Sequence, residues 1–142
     1  MLFELGVAES LEKQDPSSPY VSASPIALTG KSKSPRALTE AEIQDSIAAY
    51  AKAASNAVYG AGFDGVEIHG ANGYLVDQSL QTTSNQRTDR WGGDEEGRTR
   101  SARETVDAVV DAVGPERVGI RISPWSSFQG EPLWLDLHWL LC

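Results

Sequence analysis

His69, Asn72 and Tyr74 place an imidazole, a carboxamide and a phenol within six residues, directly after a strand-like pattern. Gly62-Phe-Asp-Gly-Val-Glu-Ile-His-Gly-Ala-Asn-Gly-Tyr-Leu75 is the most informative stretch of the chain. Val66 and Ile68 alternate with Glu67 and His69, the period of two that sends successive side chains to opposite faces of a sheet. His69 therefore shares a face with Glu67. Gly70 and Gly73 bracket Asn72 in a turn whose backbone freedom lets side chains converge on a ligand, and Tyr74 follows at once. The pattern reads as a strand that ends in an active site. Taken singly, each residue has a plainer explanation: a hydrogen-bonded core histidine, a turn-forming Asn-Gly pair, a packing aromatic. Their conjunction at the end of a buried strand favours the site.

The elements that must position these groups can be read on either side. Residues 1 to 38 carry Pro16, Pro19, Pro25 and Pro35 among many serines and read as an irregular connection, with a short extended piece somewhere in Val21 to Leu28. Thr39-Glu-Ala-Glu42 is a capping box, so a helix should start there. Ile43, Ile47, Tyr50, Ala51, Ala54 and Val58 then recur at spacings of three and four and give one apolar stripe, stopped by Gly60 and Gly62. A long loop containing Ser84 to Asp89 and Trp91-Gly-Gly93 follows the His69 strand. A second helix begins near Asp94, Glu95 and Glu96, whose negative charge suits its positive end. It carries the stripe Ala102, Val106, Val109, Val110 and Val113 and ends at Gly114-Pro115.

The next strand is read over Arg117 to Ser123, with Val118, Ile120 and Ile122 on one face and Gly119, Arg121 and Ser123 on the other. Short strands alternating with helices argue βα units and a parallel sheet. If both apolar rows meet the helices, His69 and Arg121 project to the opposite side near the strand ends. In a (β/α)8 barrel that side is the interior, and catalytic groups collect at the C-terminal strand ends. An arginine there suits an anionic or carbonyl-rich ligand. The alternative is a buried ion pair of Arg121 with Glu67 and no chemistry. A hydrolase built on Glu67 with Asp64 or Asp77 is a further possibility, though neither aspartate is well spaced for it.

Composition narrows the class. The chain has 142 residues, 40% of them hydrophobic, which suffices for one ordinary domain. Its formal net charge of -8 makes nucleic acid or an anionic membrane a poor partner. Lys31, Lys33 and Arg36 lie among Ser and Pro and read as a solvated loop. The single cysteine, Cys142, excludes a disulfide framework and a cysteine metal cluster, and fits a reducing, cytoplasmic setting. His138 has no second ligand at metal spacing, so no metal is expected. The start Met1 to Gly6 has neither a basic n-region nor a long apolar run, so no signal peptide or membrane span is expected.

Four segments together carry a family resemblance: Gly62 to Leu75, Ser84-Asn-Gln-Arg-Thr-Asp89, Trp91-Gly-Gly93 and Arg117-Val-Gly-Ile-Arg-Ile-Ser-Pro124. In this order and spacing they resemble the signatures of Old Yellow Enzyme, the flavin-dependent ene-reductases, from about Val21 to about Gly130. The resemblance implies an FMN-binding (β/α)8 TIM barrel that passes hydride from NAD(P)H to the activated C=C bond of an enone-like small molecule. By the same resemblance His69 and Asn72 hydrogen-bond the substrate carbonyl, as in an oxyanion hole, and stabilise the charge that develops. Tyr74 would protonate the α-carbon, work that suits a phenol holding its proton at neutral pH. Arg121 would lie by the flavin pyrimidine edge and favour the anionic reduced cofactor. Arg87, Asp89 and Arg98 are expected to brace the long loop.

The chain departs from the family pattern at four positions. A small hydroxyl residue is usual at Asp94, an Asn at Gly97, and aromatics at Ser79 and Ser101. Loss of two aromatics should loosen packing by roughly 3 to 5 kcal/mol each where such side chains are fully buried. A whole barrel takes about 250 residues. The expectation is therefore a partial barrel in residues 1–130, with about two central βα units and an irregular N-terminal segment, followed by an unrelated apolar tail over 131–142. The sequence gives no oligomeric state. A catalytically inactive fragment without stable FMN binding is the alternative.

Overall fold

The computed structural model describes residues 2–5 as backbone, and 19–27 and 32–125 with side chains. The apolar tail at 131–142, with His138 and Cys142, lies outside the described residues, as do Lys31 and Leu28. Three parallel strands form the main sheet in the order β1 (Leu2–Leu5), β4 (Gly65–Gly70), β5 (Val118–Ile122). A two-residue ladder joins β2 (Val21–Ser22) to β3 (Arg36–Ala37). Helix α1 (Glu40–Ser55) lies on the path from β1 to β4, and the short α2 (Leu75–Leu80) and long α3 (Glu95–Val113) on that from β4 to β5. Parallel neighbours need such crossovers because a tight hairpin cannot return the chain in the same direction.

Both expected helices start where the sequence predicts. Thr39 Oγ1 accepts from the Glu42 amide at 3.2 Å, while a Glu42 carboxylate oxygen accepts from the Thr39 amide at 2.8 Å. Ile43, Ile47, Tyr50 and Ala54 form its buried stripe. A π-helical turn over Asn56–Gly60 continues α1 before the chain breaks away. Asp94 caps α3, its Oδ1 accepting from the Gly97 amide at 2.8 Å. At its far end Gly114 takes φ 90° and stops the helix, as Gly-Pro predicts.

Val66 and Ile68, fully buried, turn towards a core with Tyr50, Ala54, Val58, Val76, Val109 and Val113. A second cluster of Leu38, Ile43, Ile47 and Trp91 sits where α1 meets the loop before α3. At β5 the apolar row is half open, with Ile120 42% and Ile122 40% exposed.

Four elements differ from the sequence reading. The N-terminal segment, expected to be irregular, opens with β1, a strand of four residues and so too short to display a period. β3 at Arg36–Ala37 lies in a stretch read as connection. The loop after His69 contains α2, whose six residues make under two turns of apolar pattern. The last strand starts at Val118, one residue later than predicted, because Pro115–Arg117 form a 3-10 turn.

The family departures have local consequences. Ser79 and Ser101 line one small cavity of about 20 Å³ with Leu38, Ile43, Leu75 and Trp91, where larger side chains would fill space. A Cβ at Gly97 would lie 2.0 Å from the Gly92 carbonyl oxygen, so that loop occupies the room a side chain would need.

Candidate functional site

The site forms at the C-terminal ends of β4 and β5. His69 and Arg121 are register partners on these parallel strands, as are Glu67 and Gly119, so the four positions share one face of the sheet. Val66 and Ile68 occupy the opposite, helix-covered face. Arg121 Nε donates to Glu67 Oε1 at 2.7 Å. The pairing weighed as an alternative on sequence grounds is therefore present, but it is not buried: the Arg121 side chain is 57% exposed, that of Glu67 20%. An ion pair this open is weak as a source of stability and leaves the guanidinium accessible.

Beyond β4 the chain reverses at Ala71–Tyr74, where the Tyr74 amide donates to the Ala71 carbonyl at 3.2 Å. Asn72 and Gly73 have φ of 58° and 74°, the left-handed pair of a type I′ turn, for which Asn-Gly is the preferred sequence. Asn72 is the one non-glycine with positive φ among the described residues. The turn brings Tyr74 back over the strand end, where its ring centre lies 5.0 Å from that of His69 at an interplanar angle of 48°. His69, Asn72 and Tyr74 are all half-buried. The three residues singled out by spacing thus meet at one strand end, with Arg121 beside them.

Surrounding polar groups that sequence reasoning missed hold this turn. Ser123 Oγ accepts from the Asn72 amide at 2.7 Å, and Asp77 Oδ2 accepts from the Gly73 amide at 2.8 Å. Gln78 Nε2 donates to the Gly73 carbonyl at 2.7 Å. The sequence signal was an Asp-Gln pair four residues beyond the glycine of an Asn-Gly turn, legible only once α2 is known. Asp77 is thereby committed to the turn, and Asp64 precedes β4 at the end away from His69.

The long loop is braced as its residues suggest. Arg87 donates to the Ala23 carbonyl at 3.1 Å and the Leu38 carbonyl at 2.6 Å, and its Nε to Asp89 at 2.9 Å. The Arg87 hydrogen bonds hold the Asp89 carboxyl below its ordinary value. Arg98 donates to the Gly93 carbonyl. Among the described residues no group of His, Cys, Asp and Glu could hold a metal ion, and no helix is long and apolar enough to cross a membrane.

The parallel α/β layout, with polar side chains gathered at the C-terminal strand ends, is that of a piece of an α/β barrel. The sequence model of the NADH:flavin oxidoreductase / NADH oxidase family matches residues 3–136, and the chain belongs to that family. The chain is 53% identical over 126 residues to a "Probable inactive dehydrogenase easA" of Claviceps purpurea (strain 20.1), covering 85% of this chain and 33% of that protein. It is 60% identical over 110 residues to a "Chanoclavine-I aldehyde reductase fgaOx3" of Penicillium roqueforti (strain FM164), covering 78% and 30% respectively. Among solved structures, Old Yellow Enzyme from Pichia sp. AKU4542 superposes with TM-score 0.77 at 40% identity, over 80% of this chain and 31% of that one. Morphinone reductase in complex with tetrahydroNAD gives TM-score 0.79 at 38% identity, over 84% and 37%. The chain spans about a third of the length of the curated relatives it matches.

Proposed function

We propose that residues 1–130 supply two central βα units of an FMN-dependent (β/α)8 barrel, and that their strand ends bind and protonate an enone-like small molecule reduced with hydride from NAD(P)H. The observation that carries this reading is the shared face: His69 and Arg121 in register, with the Tyr74 ring 5.0 Å from His69. Residues 131–142 are proposed as a separate apolar tail.

The face suits a flavin. A Cβ at Gly119 would meet nothing nearer than Val66 O at 4.0 Å, so the strand surface beside Arg121 is flat and open. Arg121 offers an accessible fixed cation there, oriented through its Nε by Glu67. Bound FMN would supply the two-electron chemistry, taking hydride from NAD(P)H and giving it to the β-carbon. Arg121 would favour negative charge on the pyrimidine edge. His69 and Asn72 would donate to the substrate carbonyl oxygen, drawing charge from the double bond and stabilising the enolate-like oxygen. The Tyr74 hydroxyl would deliver its proton to the α-carbon, completing reduction of the C=C bond.

Tyr74→Phe tests the assignment in chain reconstituted with FMN, by following the two half-reactions separately under anaerobic conditions. Flavin reduction by NADPH should persist, while alkene reduction slows by about 10² to 10⁴-fold. Loss of the flavin-reduction step instead would refute the role given to Tyr74.

A second reading, an inactive fragment without stable FMN binding, is favoured by one finding: a relative 53% identical bears the name "Probable inactive dehydrogenase". Flavin that stays with the chain through gel filtration would exclude it.

A further inference from the structure

The turn that carries Asn72 and Tyr74 is tied down by more side chains than a surface reversal needs. Four of its backbone polar groups are engaged: the Asn72 amide by Ser123 Oγ, the Gly73 amide by Asp77 Oδ2, the Gly73 carbonyl by Gln78 Nε2, and the Tyr74 amide by the Ala71 carbonyl. The clamping groups are themselves fixed. Gln78 Oε1 accepts from Ser22 Oγ at 2.8 Å, and Asp77 Oδ1 accepts from Gln81 Nε2 at 3.1 Å. Asp77 is 2% exposed, Gln78 6% and Ser22 5%. Removing that many polar groups from water costs free energy unless each finds its partner, and here they converge on one turn.

Asn tolerates left-handed backbone better than other non-glycine residues, which suits it to φ 58° at position 72, and hydrogen bonds from two elements then hold the turn in place. Ser123 reaches in from the end of β5 and Asp77 and Gln78 from α2, so the turn is locked to the strand that bears Arg121 and to the helix that follows it.

We propose that Asp77, Gln78 and Ser123 are positioning residues, which hold the Asn72-Gly73 turn left-handed so that the Asn72 carboxamide meets the same substrate oxygen as His69. The proposal rests on the function put forward above. A purely structural alternative is that Asp77 only caps α2, where it occupies the third helical position.

Two measurements on the 142-residue chain separate these readings. The first is amide hydrogen exchange at Asn72 and Gly73 in the wild type, in Ser123→Ala and in Asp77→Ala, each of which removes one acceptor outright. Loss of one acceptor should speed exchange of the amide it held by roughly three- to tenfold, Asn72 in the first variant and Gly73 in the second. Unchanged exchange overturns the clamp. The second is binding of 2-cyclohexenone, read from its carbonyl carbon by NMR, in a double-mutant cycle with Asn72→Ala. Ser123→Ala and Asp77→Ala should each weaken binding roughly three- to tenfold in the wild-type background and have no further effect once Asn72 is alanine. Equal losses in both backgrounds show that they act elsewhere and refute the positioning role. If the wild-type chain does not bind the enone, the proposed function and the substrate-positioning role fall together, while faster exchange in the variants would still establish the backbone clamp.

Discussion

Replacing Gly97 by alanine should destabilise the chain, although alanine is the better helix former. Gly97 is buried in the first turn of α3, where the change would ordinarily gain up to about 1 kcal/mol from reduced backbone entropy in the unfolded chain. The new Cβ, however, would stand 2.0 Å from the Gly92 carbonyl oxygen, so at least 1 Å of movement is needed to reach 3.0 Å (3.0 − 2.0). Gly92 cannot simply retreat. A Cβ built on it would lie 2.5 Å from Arg87 Cβ, and Arg87 is fixed by the Ala23 and Leu38 carbonyls. Overpacking of this kind costs about 1–3 kcal/mol, which leaves a net loss near 1 kcal/mol after the helix gain. With a urea m-value of about 2 kcal/mol/M, the midpoint should fall by about 0.5 M. Gly60→Ala is the control, because a Cβ there meets nothing within 4 Å and the backbone is ordinary. Its midpoint should hold or rise. If Gly97→Ala raised the midpoint as Gly60→Ala does, the close approach of the 91–93 loop to α3 would be wrong.

Two further outcomes follow from packing and charge. Ser101→Val places methyl groups against the cavity of about 20 Å³ that Ser101 shares with Ser79. At about 24 cal/mol per Å³ it should stabilise the chain by about 0.5 kcal/mol, readable as a higher urea midpoint, whereas a lower midpoint would mean that the space is already filled. The Glu42 carboxyl, held down to about 2 first by the Arg36 hydrogen bond and then by the Thr39 amide and hydroxyl, should titrate there by NMR. Its folded value lies below its ordinary 4.5, so its contribution is complete above that value and is lost as pH falls from there towards 2. Arg36→Gln should bring the midpoint back up, and an unmoved midpoint would contradict the cause assigned.

How far the sequence reveals this structure depends on whether the cause is local. The capping box at Thr39, the cap at Asp94 and the Gly114 stop are encoded within a few residues, and the helices begin and end accordingly. The alternation Val66-Glu67-Ile68-His69 placed His69 on the face opposite the core, and Asn-Gly announced the turn. By contrast β1 is defined by its parallel partner β4, some sixty residues away, and four residues cannot declare a period. The need for glycine at 97 arises from a carbonyl five positions earlier, brought close by a loop that Arg87 anchors. Asp77 read as a possible catalytic carboxylate because its partners, the Gly73 amide and Gln81, become neighbours only once α2 has formed. The residues that meet at the end of β4 were legible, and the polar groups that hold their turn were not.

The central claim is that His69, Asn72 and Tyr74 form a carbonyl-polarising site at the end of β4. Its most direct test is the C=O stretching frequency of 2-cyclohexenone bound to the chain, measured by difference Raman spectroscopy against the free enone in water. Donors fixed in a partly dehydrated site polarise the carbonyl more than water does, so the frequency should fall below the aqueous value and return towards it in His69→Ala. A bound enone whose stretch sits at or above the aqueous value, unmoved by His69→Ala, would contradict the account.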